Sequence, residues 1–99
     1  MKYKMVFAPE VKIDIQDAIE WYNNHQGGLG KRYLNELKKH SKDIQKSPES
    51  IAIRYNDSRC YPLKRFPYMI HFRLDTESNT IFIDAVFHIS RNPEIWVER

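Results

Sequence analysis

The chain opens with alternating polar and apolar residues and then changes to a helical spacing. The alternation predicts a short strand with one buried face. Its two sides are Tyr3, Met5 and Phe7, and Lys2, Lys4 and Val6. Pro9 and Glu10 predict a helix start, because proline suits the first turn and a carboxylate favours the positive end of the helix dipole. The apolar stripe of this helix is Val11, Ile15, Ala18, Ile19 and Tyr22, and Trp21 is expected to widen it.

A second helix is predicted to begin near Leu29, after a flexible link that contains Gly27 and Gly28. Its buried side is expected to be Tyr33, Leu34, Leu37 and Ile44, and its water-facing side Lys31, Lys38, Lys39, Lys42 and Lys46. Pro48 ends the helix, since the residue before a proline resists the helical conformation. A link this short predicts an antiparallel helical hairpin.

The second half of the chain has the period of strands. Residues 51–55 predict a weak strand and 56–58 a turn. Residues 59–65 predict an edge strand or an irregular run, because Pro62 lacks a backbone donor. Residues 68–74 alternate clearly, with Tyr68, Ile70, Phe72 and Leu74 on one side and Met69, His71 and Arg73 on the other. After a polar loop, residues 80–88 predict a strand covered on both faces. Ile81, Ile83, Ala85 and Phe87 are expected on one face, with Phe82 and Val86 on the other.

These elements predict an α+β fold in a single domain, residues 1–99. An N-terminal strand and an antiparallel helical hairpin pack on an antiparallel sheet of about four strands. Neither a signal peptide nor a run of about 20 apolar residues is recognised. The one cysteine, Cys60, has no internal partner for a disulfide, which favours the cytoplasm.

Charge adds a possible binding face. The formal net charge is only +3, with a pI near 9.0, but acidic residues crowd the first helix. Cations of the second half could form a face for an acidic partner or for phosphates, or simply a solvated surface. They are Arg59, Lys64, Arg65, Arg73 and Arg91.

Two polar residues, Asp84 and His88, are candidates for a functional role. Asp84 lies within an apolar strand, so we expect it to pair with a cation from a neighbouring strand or to cap a loop. His88 ends that strand and could transfer protons, although a lone histidine is more often a hydrogen-bonded structural residue. Metal-free RNA cleavage would need such a base and phosphate-binding cations to converge. No spacing of cysteines and histidines indicates a metal site, and no cofactor is predicted.

Five blocks in order resemble the RelE/ParE superfamily of toxins from bacterial type II toxin–antitoxin, or plasmid stabilisation, modules. They are DIQDAIEWY, GLGKRYLNEL, KSPE, PLKRFPYMIHF and AVFHISRNPEIW. The resemblance spans nearly the whole chain and is closer to ParE-like members. It implies a small α+β toxin held inactive by an antitoxin. In ParE-like members a basic-Phe-Pro-Tyr segment leads into the third strand, as Arg65 to Tyr68 does here.

The resemblance implies two alternative targets. ParE-like members inhibit DNA gyrase by contact, and Arg59, Lys64, Arg65, Arg73 and Arg91 would then bind the target. RelE-like members cleave mRNA on the ribosome, and His88, Arg91 and Arg65 would then be catalytic. Two departures favour the ParE-like alternative: Met69 replaces the arginine that follows the strand tyrosine, and Trp96 stands near the position of a C-terminal tyrosine. Indole cannot act as a general base. A degenerate, non-toxic interaction protein is the third possibility.

Overall fold

A computed structural model describes residues 3–90, which form five strands and two long helices. Strand β1 (Lys4–Phe7) precedes helices α1 (Pro9–His25) and α2 (Leu29–Lys46), and a single 3-10 turn follows at Pro48–Ser50. The remaining strands are β2 (Ile53–Tyr55), β3 (Ser58–Pro62), β4 (Tyr68–Asp75) and β5 (Thr80–His88). The predicted order of elements is confirmed, and β3 ends at Pro62, short of the predicted residue 65.

The sheet has the strand order β1-β5-β4-β3-β2. Strands β2 to β5 form the predicted antiparallel meander, whereas β1 lies parallel to β5, from Lys4 opposite Thr80 to Phe7 opposite Ile83. The predicted α+β architecture is therefore confirmed with one difference. The sheet contains five strands and is mixed, because β1 precedes the helices and pairs in parallel with β5, which follows them.

The core lies between the helical hairpin and one face of the sheet. The helices contribute Val11, Ala18, Tyr22, Tyr33, Leu37 and Ile44, and the sheet contributes Ile70, Phe72, Ile81, Ile83 and Val86. Trp21 was expected to widen the buried stripe, and this is wrong. Its side chain is 54% exposed and stacks on His25 with a ring separation of 3.8 Å.

A β-bulge at Asp84 divides β5 into two halves with opposite phase. Phe72 lies opposite Ile83, but His71 lies opposite Ala85, so Asp84 is an extra residue in the ladder. The alternation changes face at this point. Ile81, Ile83 and Val86 face the helices, whereas Ala85 and Phe87 lie on the opposite face. The expectation that Ala85 and Phe87 share a face with Ile83 is therefore wrong, because it assumed an uninterrupted period of two.

The face of the sheet away from the helices is also buried near β4. Met69 and His71 alternate with the core residues, yet their exposed fractions are only 7% and 0%. The His71 Nδ1 atom lies 3.0 Å from the Tyr55 hydroxyl and 3.3 Å from the Cys60 thiol. Burial, assisted by the positive charge of Arg54, lowers the pKa of His71 from 6.5 to about 4. His71 is therefore a neutral core residue.

The two helices pack closely at Gly30. Gly28 provides the left-handed turn between them, with φ at +87°. The Gly30 N–H then donates to the Asn23 Oδ1 atom at 2.9 Å. A Cβ atom added at Gly30 would lie 2.5 Å from the Ile19 carbonyl oxygen, well inside contact distance.

We therefore predict that Gly30→Ala destabilises the fold. Alanine is the better helix former by about 1 kcal/mol, but overpacking against backbone costs about 1–3 kcal/mol, so the net change should be a loss. Denaturant titration measures it. Gly27→Ala is the matched control, because nothing lies within 4 Å of its added Cβ atom. Equal stability of the two variants would contradict the close helix packing.

We also predict a pH dependence that His71 controls. With a folded pKa of about 4 and an unfolded value of 6.5, the unfolded chain binds more protons between these pH values. The contribution of His71 to stability is therefore complete above pH 6.5 and is lost as pH falls towards 4. Between pH 6.5 and pH 4, the unfolding free energy of His71→Gln should therefore decrease less than that of the parent. A parent-like profile in His71→Gln would contradict the assignment.

Candidate functional site

The loop Lys64–Pro67, here called the 64–67 loop, is fixed at both ends. The Leu63 N–H donates to the Tyr68 carbonyl at 2.9 Å, and the Ile89 N–H donates to the Pro67 carbonyl at 2.8 Å. The Arg65 N–H donates to the Glu36 carboxylate on α2 at 2.7 Å. Backbone bonds thus hold the loop between the end of β5 and the second helix, which leaves its cationic side chains exposed.

An aromatic cluster beneath the loop joins it to both helices and to β4. The Phe66 ring meets the Tyr22 ring edge-on at 5.0 Å and the Tyr33 ring at 5.3 Å. Tyr68 meets Tyr33 at 5.2 Å. Burial raises the pKa of the fully enclosed Tyr33, so its hydroxyl remains protonated. Edge-on pairs of this kind stabilise beyond their buried area, and Phe66 therefore has a packing role.

A groove with a volume of about 670 Å³ opens between α2 and the 64–67 loop. We call it the basic groove. Exposed cations line both of its walls: Arg32 and Lys39 on α2, and Lys64 and Arg65 on the loop. Sequence reasoning had singled out the loop cations but not Arg32, which lies about two helical turns before Lys39. The signal was available in the helical spacing of the two residues.

A second groove of about 670 Å³ opens between α1 and the end of β5. We call it the acidic groove. Its walls are mainly apolar, with Trp21, Tyr68 and Val86 among them, and the acidic residues Asp14 and Asp17 also line it. His88 lines this groove rather than the basic one. The two grooves share Tyr22 and Pro67, so the Phe66–Pro67 segment lies between Arg65 and His88.

His88 is held in one tautomer. Its Nδ1 atom accepts the Ser90 N–H at 3.1 Å and lies 2.7 Å from the Ser90 hydroxyl oxygen. Since a backbone N–H can only donate, Nδ1 is the bare nitrogen and Nε2 carries the proton of the neutral ring. Nδ1, the nitrogen that could accept a proton, is therefore already hydrogen-bonded to Ser90. The ring packs edge-on against Tyr68 at 5.2 Å.

The other two predicted cations, Arg59 and Arg73, lie with Asp57 and Asp75 in a smaller depression of about 310 Å³. The Arg59 guanidinium donates to the carbonyls of Ile51 at 2.7 Å and Glu49 at 3.2 Å, which fixes the loop before β2. Arg59 therefore has a structural role in holding this loop.

Arg73 makes a two-bond contact with Asp84, at 2.6 Å and 3.1 Å, which confirms that Asp84 pairs with a cation of a neighbouring strand. The carboxylate raises the pKa of Arg73, chiefly through this hydrogen bond. The predicted site residues are therefore distributed over three depressions. Arg91 and Trp96 lie outside the described residues.

Within residues 3–90, no three metal-ligating side chains are grouped as a metal site would require. Over the same range, neither helix is both long and apolar enough to cross a membrane.

The family model for the ParE toxin of the type II toxin–antitoxin system parDE matches residues 5–93. This chain belongs to the ParE toxin family. It is thus a toxin of a type II toxin–antitoxin system within the RelE/ParE superfamily, as the sequence blocks indicated. No sequence among the curated proteins matches this ParE-family chain significantly.

Solved structures with this fold come from several organisms. The ParE-family chain matches the chromosomal ParDE system from P. aeruginosa at a TM-score of 0.79 and 16% identity, over 90% of this chain and 98% of that one. The isolated E. coli RelE toxin matches at 0.67 and 20% identity, over 97% and 93%. The M. tuberculosis RelBE2 toxin–antitoxin complex matches at 0.66 and 18%, over 89% and 99%. At these identities the likeness establishes the fold alone.

We predict that the Phe66 side chain supports the stability of the fold, whereas the Arg65 side chain does not. Phe66→Ala should lose about 3 kcal/mol of unfolding free energy, the lower end for a core phenylalanine, because the ring is only half-buried. Arg65→Ala should melt close to the parent, since its backbone bond to Glu36 survives and exposed charges contribute roughly 0–1 kcal/mol. Thermal unfolding measures both. A large loss in Arg65→Ala would show that its side chain supports the fold.

Proposed function

We propose that this ParE-family toxin acts by binding DNA gyrase and not by cleaving RNA. The observation that carries the proposal is the separation of the candidate cleavage groups. Arg65 lines the basic groove, whereas His88 lines the acidic groove. A phosphate placed at His88 would approach Asp14 and Asp17, and like charges repel strongly in a groove with apolar walls.

Two further observations support binding over catalysis. At the β4 position where RelE-like members carry an arginine, this chain has Met69, which is 93% buried, and its sulfur accepts from the Arg54 guanidinium at 3.4 Å. Among residues 3–90 the alternative cation on that strand, Arg73, is neutralised by Asp84. A contact inhibitor needs neither a free base nor a phosphate-binding cation beside it.

We further propose that a cognate antitoxin holds the toxin inactive. Several neighbours of similar fold were solved as toxin–antitoxin complexes. The two grooves on either side of the Phe66–Pro67 segment offer concave, partly apolar surface to an extended segment. A disordered segment that folds on binding loses conformational freedom, and a large contact area offsets that cost.

The deciding experiment compares gyrase supercoiling with in vitro translation, using the purified chain. We expect blocked supercoiling and unimpaired translation. His88→Ala should retain most of the inhibition, because no proton transfer is required, whereas it would abolish an endonuclease that uses His88. His25→Ala is a matched control at an exposed histidine of α1.

Translation arrest with mRNA cleavage that His88→Ala removes would establish the RelE-like alternative instead. In cells, expression of the chain should stop growth, and co-expression of the adjacent open reading frame should restore it. Inactivity in both assays and normal growth would identify a degenerate interaction protein.

A further inference from the structure

Half of the chain's 16 lysines and arginines lie on the exposed side of α2 and on the neighbouring 64–67 loop. We call this surface the basic face. It consists of Lys31, Arg32, Lys38, Lys39, Lys42 and Lys46 on α2, with Lys64 and Arg65 on the 64–67 loop. All eight residues are exposed. This concentration contrasts with the overall net charge of only +3.

The arrangement on α2 follows from the helical period. At 100° per residue, the six α2 cations fall on one solvent-facing arc, and Asn35 is the only other residue within it. From Lys31 to Lys46 the arc extends about 22 Å along the helix at 1.5 Å per residue. The cations therefore form a stripe, with no acidic residue inside it.

Two carboxylates border the stripe: Glu36, which lines the basic groove and accepts the Arg65 backbone N–H, and Asp43. The carboxylates of Glu36 and Asp43 lie 3.9 Å and 3.3 Å from the ring nitrogens of the buried His40. Within the range that the structure describes, none of the eight cations takes part in an ion pair. Their positive potential is therefore not cancelled by fixed local partners.

We propose that the basic face is a docking surface for the phosphate backbone of a nucleic-acid duplex, in addition to the gyrase contact. Duplex DNA carries one negative charge per about 1.7 Å of its axis, so a 22 Å stripe of cations faces many phosphates. The basic groove adds Lys64 and Arg65 on a second wall, and the bond from the Arg65 backbone N–H to Glu36 holds the loop that carries them.

The composition of the basic face favours a duplex over an acidic protein. Protein interfaces rely on large apolar anchors and are depleted in lysine. The exposed large hydrophobic residues among those described all lie elsewhere: Val6, Ile13, Trp21, Ile53 and Ile89. Single strands, in turn, are bound by stacking on exposed aromatic rings. No aromatic side chain of residues 3–90 lies exposed on this face, since Tyr22 and Tyr33 are buried and Phe66 is half-buried.

The test is binding of the full chain to a 20-base-pair duplex, measured by fluorescence anisotropy from 50 to 200 mM salt. If at least four phosphates are contacted, log K should fall with log salt with a slope of about −3.6 or steeper. The double variant Lys38→Glu/Lys42→Glu should weaken binding and make the slope shallower by about 1.8, for two lost contacts. DNA and RNA duplexes of the same sequence identify the source of the phosphates, and tighter binding of either supports the proposal.

The matched control is Lys4→Glu/Lys12→Glu, which changes the net charge equally at exposed positions outside the basic face. It should retain the parent's slope. Absence of binding at 50 mM salt, an unchanged slope in Lys38→Glu/Lys42→Glu, or an equal loss in the control would overturn the proposal. Poly-glutamate that competes better than duplex would assign the face to an acidic protein segment instead. Gyrase is absent from the assay, so the outcome is independent of the proposed target.

Discussion

The contact on which the rest of the molecule depends is the aromatic cluster of Tyr22, Tyr33, Phe66 and Tyr68. It contains one ring from each helix, one from the 64–67 loop and one from β4. Because four elements meet there, the cluster fixes the distance between the hairpin and the loop. Both grooves take their shape from that distance, since Tyr22 and Pro67 form part of each.

The hairpin places two unlike surfaces beside each other. The exposed side of α1 carries carboxylates together with the exposed apolar side chains of Ile13 and Trp21, a composition that suits contact with protein. The exposed side of α2 carries cations without such anchors. The small net charge conceals this division, because the opposite charges of the two helices largely cancel in the sum. One short domain can thus offer different partners chemically different sides.

Local patterns predicted the helices and strands because the apolar residues of this chain recur at regular helical or strand spacing. The helical stripe from Val11 to Tyr22, and the proline at position 48, need no knowledge of distant residues. The failures came where distant residues decide. A bulge is set by how β4 and β5 fit together, so the phase of Ala85 to Phe87 could not be read from β5 alone. Likewise, Trp21 lies beside the buried stripe of α1, and only the packing around the helix decides whether its ring is covered.

The site was predictable only in part, for a related reason. Lys64 and Arg65 were recognised by their position before Phe66, and both do line a groove. Cation type alone, however, does not distinguish a residue that holds a carbonyl, as Arg59 does, from one that faces solvent. Arg73 is bound to Asp84 by a contact between β4 and β5, and Asp84 is itself the bulge residue.

The bulge at Asp84 has a consequence for the comparison of related chains. The extra residue places His88 on the same side of the sheet as Tyr68, its partner in the ladder. Removing the extra residue from β5 would restore strict alternation without moving any later side chain to the other face, because Ala85 would then follow Ile83 and already lies on the opposite side of the sheet. In a relative that lacks the extra residue, the equivalent of His88 would therefore stand four positions after the equivalent of Ile83, and not five positions as in this chain. Roles in this part of the family must be assigned by superposition in space, because an alignment without a gap at residue 84 would pair inward-facing with outward-facing side chains after that residue.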